Sequence, residues 1–190
     1  MGRFNRDEGI ALKVVGIIGG PKNDGNTFRL VRAVLDGALD AGHTVVTWKL
    51  KDVYIGHLGH FAGETLPPND DFEKMQADLE SMGALVIGSP VWYGHVDTRT
   101  FNFINRTYVY NKHYSEENAE KWPKAKTVNV LTYGREDENA YDNILDWYKM
   151  IWDWYGMTES INLVAAGTGN YPVEKRPDLI KRAKDIGRNL

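Results

Sequence analysis

The stretch Gly19-Gly20-Pro21-Lys22-Asn23-Asp24-Gly25-Asn26-Thr27 decides the fold of this chain. It follows the apolar run of residues 14–18, which predicts a buried strand, and precedes residues 28–35, whose apolar positions recur at helical spacing. A glycine-rich turn in this position lets backbone N–H groups and the positive end of the helix dipole face an anion. Asn26 and Thr27 are suited to capping and hydrogen bonding, and Lys22 adds positive charge. The stretch therefore predicts a phosphate site.

Other turns of similar composition provide alternatives to a phosphate site. A plain connection between a strand and a capped helix also carries Gly, Asn and Thr, and this alternative stays open. A nucleotide P-loop would end in Gly-Lys-Ser/Thr, and a dinucleotide turn would show G-x-G-x-x-G; this turn has neither pattern. The pattern favours a compact pocket for one phosphate monoester.

The composition is that of an ordinary globular protein of 190 residues, with 42% hydrophobic and 26% charged residues. We expect one domain over residues 1–190, in which residues 1–10 form a loose polar tail. The net charge of −3 gives no reason to expect a nucleic acid as partner. No signal peptide is evident and no apolar run approaches the roughly 20 residues that cross a bilayer, so we expect a cytoplasmic protein without a membrane partner.

The chain contains no cysteine, which excludes disulfides, thiolate catalysis and cysteine-ligated iron–sulfur or zinc sites. Its six Trp and ten Tyr favour a planar ligand or an aromatic interface. One predicted helix carries aromatic residues on more than one side: Tyr141, Tyr148, Trp152 and Tyr155 at near-helical spacing, with Trp147 and Trp154 elsewhere around it. Such a stripe is usually core, but its extent here indicates a subunit interface as well.

Five strand–helix repeats follow one another along the chain. The predicted strands span residues 13–19, 44–50, 84–88, 127–132 and 159–165. The predicted helices span residues 27–41, 69 or 70 to 82, 97 or 98 to 108, 138–155 and 177–190. This alternation predicts an α/β fold, with one parallel sheet covered by helices on both faces.

Ligands of such sheets bind outside the carboxyl ends of the strands. There the phosphate loop meets two further predicted loops, residues 89–96 and 133–136, which carry the flat side chains of Trp92, Tyr93 and Tyr133. A phosphate pocket beside planar side chains points to FMN as the cofactor.

Three motifs resemble those of the NADPH-dependent FMN reductases and iron–sulfur flavoproteins. Residues 19–27 are similar to the family's G-S-P-R-x-x-G-N-T phosphate loop, and residues 88–96 to its G-S-P-V-Y-F-G-N-V isoalloxazine loop. Residues 100–107 resemble the L-K-A-F-I-D-R-T stretch of its third helix. The resemblance spans residues 13 to about 165 and implies a flavodoxin-like three-layer sandwich with a five-stranded parallel sheet in the order 2-1-3-4-5.

The resemblance also implies where FMN would bind. The phosphate loop contributes Gly20, Lys22, Gly25, Asn26 and Thr27. The residues expected along the ring are Pro90, Val91, Trp92, Tyr93 and Gly94, with Thr132, Tyr133 and Gly134 on its other rim.

Three departures from the family pattern bear on this expectation. Gly20 stands where the family has Ser, which removes a hydroxyl donor, and Lys22 stands for Arg, which removes a two-pronged phosphate contact. His57 and His60 stand where iron–sulfur members carry cysteines. Two histidines alone do not hold such a cluster, so we expect neither a cluster nor a bound metal, although a two-histidine metal site stays an alternative.

The activity implied by the resemblance is hydride transfer from NADPH or NADH to FMN, followed by electron transfer to a small-molecule acceptor. The resemblance also implies a homodimer or homotetramer. No catalytic residue is predicted, since solvated loop side chains are the favoured interpretation of His95 and Arg135. A flavodoxin-like electron carrier without its own substrate turnover is the main alternative, and a flavin-free interaction module is a second.

Overall fold

Five parallel strands form one sheet in a computed structural model of the protein, which describes residues 10–58 and 70–190. The strands are β1 (Lys13–Ile18), β2 (Thr44–Lys49), β3 (Ala84–Trp92), β5 (Lys126–Thr132) and β6 (Ser160–Ala165), and a short strand β4 (His95–Val96) pairs antiparallel with the end of β3. The parallel strands lie in the order β2-β1-β3-β5-β6. This order confirms the predicted α/β fold.

Helices cover both faces of the sheet. They are α1 (Asn26–Asp40), α2 (Phe72–Glu80), α3 (Thr98–Arg106), α4 (Glu116–Lys121), α5 (Asp142–Trp154) and α6 (Pro177–Arg188), with 3₁₀ turns at Thr107–Tyr110 and Val173–Lys175. One core cluster joins the sheet to α1 and α6, and the other joins the opposite face to α2, α3 and α5. These two clusters bury nearly continuous apolar strands, as a parallel sheet covered on both faces requires.

The predicted loop over residues 89–96 was wrong, because β3 continues to Trp92. Ser89 and Pro90 stay in register with β5, and Trp92 then pairs with His95 across a two-residue turn. Tyr93 and Gly94 form this turn with φ angles of 51° and 80°, which suits the right-handed twist of a hairpin. The aromatic segment is therefore a rigid hairpin.

Three predicted helix boundaries were also wrong. A carboxylate oxygen of Asp70 accepts from the N–H of Phe72 at 2.7 Å, so α2 begins after that turn. The hydroxyl of Tyr133 donates to the carbonyls of Asp137 and Glu138, which holds both residues in a turn and delays α5 to Asp142. Tyr108 falls in the 3₁₀ turn after α3.

Two of the sequence predictions concern residues outside the described ranges. These are the N-terminal tail, apart from Ile10, and the segment that contains His60.

Candidate functional site

A cleft of about 530 Å³ lies at the carboxyl ends of β1, β3 and β5. Every residue predicted for the cofactor lines it except Tyr93 and Gly94, which form the tip of the hairpin. The predicted residues that the cleft brings together are Gly20, Lys22, Gly25, Asn26, Thr27, Pro90, Val91, Trp92, Thr132, Tyr133 and Gly134. Its volume is in the range of pockets that enclose small-molecule ligands.

The phosphate loop ends at Gly25, which caps α1 with extended backbone and without a side-chain bond. The expectation that Asn26 caps the helix was wrong, because Asn26 is the first helical residue and its Oδ1 accepts from the N–H of Val173 at 2.8 Å. The first backbone bond of the helix runs from Arg29 N–H to the Gly25 carbonyl. The preceding N–H groups in the first turn have no intrahelical acceptor and remain available to an anion.

Two hydroxyl groups join the phosphate loop to the end of β5. Thr27 and Thr132 are both buried, and their Oγ1 atoms lie 2.7 Å apart. A buried hydrogen bond of this kind fixes the distance between the start of α1 and the opposite wall of the cleft.

Glycines allow the walls of the cleft to approach closely. The Gly19 N–H donates to the Gly88 carbonyl at 2.8 Å, and a Cβ on Gly19 would lie only 1.8 Å from Thr100 Oγ1. A Cβ on Gly88 would lie 2.2 Å from a methyl group of Val31 in α1. Gly88 therefore allows α1 to pack closely on the sheet, and Gly19 allows α3 to approach the start of the phosphate loop.

The aromatic hairpin forms a second wall. Trp92 lines the cleft with half of its surface exposed, while the Tyr93 side chain projects fully into solvent. His95 packs edge-on against Phe101 and Trp147, with ring centroids at 5.1 Å and 5.0 Å. These contacts hold the base of the hairpin and place His95 outside the cleft lining.

Tyr133 is buried at the third wall and stacks edge-on against Tyr141 at 4.8 Å. Desolvation, with smaller contributions from the nearby Asp137 and Asp142 carboxylates, raises the pKa of Tyr133 to about 12. The phenol therefore stays protonated and neutral near pH 7, and it donates to main-chain carbonyls.

The segment after β6 also lines the cleft, which the sequence analysis missed. Thr168 donates its N–H and its hydroxyl to the Tyr133 carbonyl at 2.9 Å and 3.0 Å. The residues that were missed are Pro21, Asp24, Phe28, Arg29, Thr168, Pro172 and Glu174. Gly167 and Gly169 flank Thr168 directly after a predicted strand, and this repeats the signal that identified the phosphate loop.

The remaining candidates lie apart from the cleft lining. Arg135 is exposed, and His57 Nδ1 lies 3.3 Å from Asn102 Oδ1. Over residues 10–58 and 70–190, no group of three or more His, Asp or Glu side chains is placed to hold a metal ion. No helix in these ranges is long and apolar enough to cross a membrane.

Solved structures of a quinone oxidoreductase and an azoreductase share this fold. An NAD(P)H:quinone oxidoreductase from Methanothermobacter marburgensis superposes with a TM-score of 0.72 at 18% identity, covering 94% of this chain and 96% of its own. An FMN-dependent NADH-azoreductase from Bacillus anthracis in complex with FMN gives a TM-score of 0.69 at 11% identity. The match covers 93% of this chain and 98% of the azoreductase chain.

Sequence relatives are two archaeal iron–sulfur flavoproteins. The one from Methanocaldococcus jannaschii is 27% identical over 101 residues, or 50% of this chain and 52% of the relative. The one from Archaeoglobus fulgidus is 27% identical over 104 residues, which are 52% of this chain and 47% of the relative. The chain thus spans about half the length of the curated relatives it matches.

The family model described as NADPH-dependent FMN reductase matches residues 12–159. This range contains all the parallel strands except β6, and it contains the phosphate loop and the aromatic hairpin. The chain therefore belongs to the NADPH-dependent FMN reductase family.

Proposed function

We propose that this protein is an FMN-dependent NAD(P)H oxidoreductase that reduces a small-molecule acceptor of the quinone or azo type. The observation that supports this most directly is the single cleft in which a phosphate loop faces an aromatic hairpin. The acceptor class follows from the names of the structural neighbours, which include quinone oxidoreductases and azoreductases. A cytoplasmic location stays a prediction of the sequence.

The residues of the cleft fit FMN. The free N–H groups at the start of α1, together with Lys22, suit a phosphate monoester. Pro90, Val91 and Trp92 provide an apolar wall for an isoalloxazine ring, and Thr132 and Tyr133 line the cleft beside them, at the end of the neighbouring strand β5. Hydrophobic walls with a few placed polar groups are typical of cofactor pockets.

The bound cofactor would supply a ring that accepts hydride from NAD(P)H and passes electrons on. The side chains of the protein orient that ring and limit its contact with water. Tyr133 remains neutral in the cleft, because its pKa of about 12 is far above the working pH. No acid or base of the chain is assigned to the hydride step.

Binding and turnover test this proposal separately. FMN titrated into the protein should quench tryptophan fluorescence, because Trp92 lines the cleft, and Trp92→Phe should remove most of the quenching. Without oxygen, NADPH or NADH should then be consumed beyond one equivalent per bound FMN only when a quinone is also present. Protein that binds FMN but consumes neither nucleotide would contradict the oxidoreductase and favour an electron carrier.

We expect Gly20→Ser to strengthen FMN binding about tenfold, since a hydroxyl that donates to a charged group contributes roughly 1.5 kcal/mol. A Cβ at Gly20 meets its nearest neighbour, Thr27 Cβ, at 3.4 Å, so serine fits without displacement. Fluorescence titration measures the change. Gly20→Ala is the matched control because it adds the Cβ alone; equal affinities of the two variants would contradict the role of the hydroxyl.

We further propose a homodimer or homotetramer in which α3 and α5 meet a partner subunit. The support is an apolar face formed by the exposed side chains of Phe101, Met150 and Trp154 and the half-buried side chain of Trp147. Phe101 stacks on Trp147 at 5.8 Å, and the residues of α5 recur at helical spacing. Met150 and Trp154 are 43% and 63% exposed in the single chain, a degree of apolar exposure that is typical of interfaces.

Met150→Lys is therefore expected to lower the mass in solution toward the 21.6 kDa of one chain, because it places a charge in the apolar face. Sedimentation velocity measures the mass. Leu39→Lys is the control, since Leu39 is 47% exposed on α1 at the opposite face of the sheet. A wild-type protein that sediments as a monomer would contradict the proposed oligomer.

A further inference from the structure

Four charged side chains line the cleft, and all four lie at its phosphate end. Lys22 and Arg29 are cations, whereas Asp24 and Glu174 are carboxylates, so the formal charges of the lining cancel. A phosphate monoester carries a charge of about −1.5 to −2 near pH 7. A balanced lining attracts such a group less strongly than the two cations alone would.

Arg29 is the best placed cation. Its Nε donates to the Asp24 carbonyl at 2.8 Å, and its Nη2 pairs with Glu174 Oε2 at 3.0 Å. These two contacts hold the guanidinium beside the first turn of α1, where the free N–H groups lie. An arginine has five N–H donors in a planar fork, so donors remain for a further anion.

The backbone of Glu174 is anchored beside the phosphate loop. It belongs to the 3₁₀ turn Val173–Lys175, and the Val173 side chain is fully buried in the core beside α1. The Val173 N–H also donates to Asn26 Oδ1 at 2.8 Å. The turn is thus tied to the phosphate loop, which keeps the Glu174 side chain within reach of Arg29.

We propose that Arg29 is a phosphate-binding residue for FMN, and that Glu174 competes with the phosphate for its guanidinium. This inference rests on the proposed FMN site. Arg29 supplies the two-pronged contact that the loop lacks at Lys22, from the end of the first turn of α1, seven residues further along the chain. Glu174 weakens FMN binding and speeds its release, so that the cofactor exchanges with solution.

Riboflavin provides the test, because it has the isoalloxazine ring of FMN but no phosphate. Arg29→Gln should weaken FMN binding about tenfold, the effect of losing a charge-assisted hydrogen bond, and should leave riboflavin binding within about twofold. Arg32→Gln is the matched control: Arg32 lies on the same helix, pairs with Asp36 and does not line the cleft. Equal losses of FMN and riboflavin affinity would overturn the role of Arg29.

Glu174→Gln should act in the opposite direction. We expect FMN to bind about threefold or more tightly and to leave more slowly in stopped flow, because a like charge has been removed from the phosphate end. Riboflavin binding should not change. Glu117→Gln, which breaks an exposed pair on the distant α4, is the control. Weaker or unchanged FMN binding in Glu174→Gln would overturn the competition.

The flavin-binding measurements distinguish failure of the proposed FMN site from failure of the inference about Arg29 and Glu174. Wild-type protein that binds neither flavin contradicts the FMN site itself. If wild-type protein binds both flavins and Arg29→Gln lowers the affinity for FMN no more than the affinity for riboflavin, the FMN site stands. Only the inference drawn from Arg29 and Glu174 is then contradicted.

Discussion

Replacing Arg106 with methionine should lower the free energy of unfolding by about 3–5 kcal/mol, the usual cost of leaving one member of a buried ion pair without its partner. The Arg106 and Asp70 side chains are 1% and 3% exposed, and they form an ion pair. The guanidinium also donates to the Gly56 carbonyl at 3.0 Å and lies over the Phe72 ring at 4.8 Å. The loss of Arg106 leaves the Asp70 carboxylate buried without its cation.

Urea unfolding measures the change, which should appear as a lower midpoint with an unchanged slope. Arg188→Met is the control, because Arg188 and Asp40 form an exposed pair whose loss should cost less than about 1 kcal/mol. The double variant Asp70→Asn/Arg106→Met should recover part of the loss by removing both charges. A loss in Arg106→Met no larger than that of the control would contradict this account.

The Arg106–Asp70 ion pair also contacts the backbone of Gly56. Gly56 donates its N–H to Asp70 at 3.0 Å and accepts from Arg106 through its carbonyl. The pair therefore connects α3 to Gly56 and Asp70. These two residues lie on either side of the part of the sequence in which iron–sulfur members of the family carry cysteines, and in this cysteine-free chain a buried ion pair joins them.

The second large effect is expected at Gly187, where alanine should lower the free energy of unfolding by about 3 kcal/mol through overpacking. A Cβ at this position would lie 1.9 Å from the Val34 carbonyl oxygen of α1. The same close contact occurs in reverse at Gly37, whose Cβ would lie 2.0 Å from the Lys184 carbonyl oxygen of α6. The two helices approach each other backbone to backbone, and neither carbonyl can rotate away as a side chain would.

The direction of the stability change in Gly187→Ala distinguishes helix propensity from close packing against α1. Helix propensity alone predicts that Gly→Ala inside a helix stabilises by about 1 kcal/mol, so a loss of stability must come from the contact with α1. Gly169→Ala is the control, since a Cβ there meets nothing within 4 Å. A Gly187→Ala protein at least as stable as wild type in thermal unfolding would contradict the close packing of α1 on α6.

The alternation of strands and helices and the glycine-rich loop were predictable because their signals are local, whereas the strand order was implied by the family resemblance. The apolar runs of β1 and β3 are short and nearly uninterrupted, and each is followed by a helix with a clear apolar face. The glycines of residues 19–25 mark the connection between β1 and α1. Right-handed crossovers then leave few arrangements of the sheet.

The features that were missed depend on particular hydrogen bonds and ion pairs, two of which are distant in sequence. The start of α5 is set by the Tyr133 hydroxyl, which bonds the Glu138 carbonyl at 2.7 Å, five residues further along the chain. The role of Asn26 is set by Val173, which lies 147 residues further along the chain. The Arg29–Glu174 pair likewise joins α1 to the C-terminal 3₁₀ turn. Propensity and periodicity carry no information about such pairs.

The most direct test of the proposed activity is an anaerobic titration of FMN-loaded protein with NADPH, and then of a fresh sample with NADH, followed in the visible flavin band. We expect at least one nucleotide to bleach the band, with about one equivalent reducing one bound FMN, since hydride transfer moves two electrons. Bound flavin that neither nucleotide reduces would contradict the account and indicate a carrier that receives its electrons from a partner.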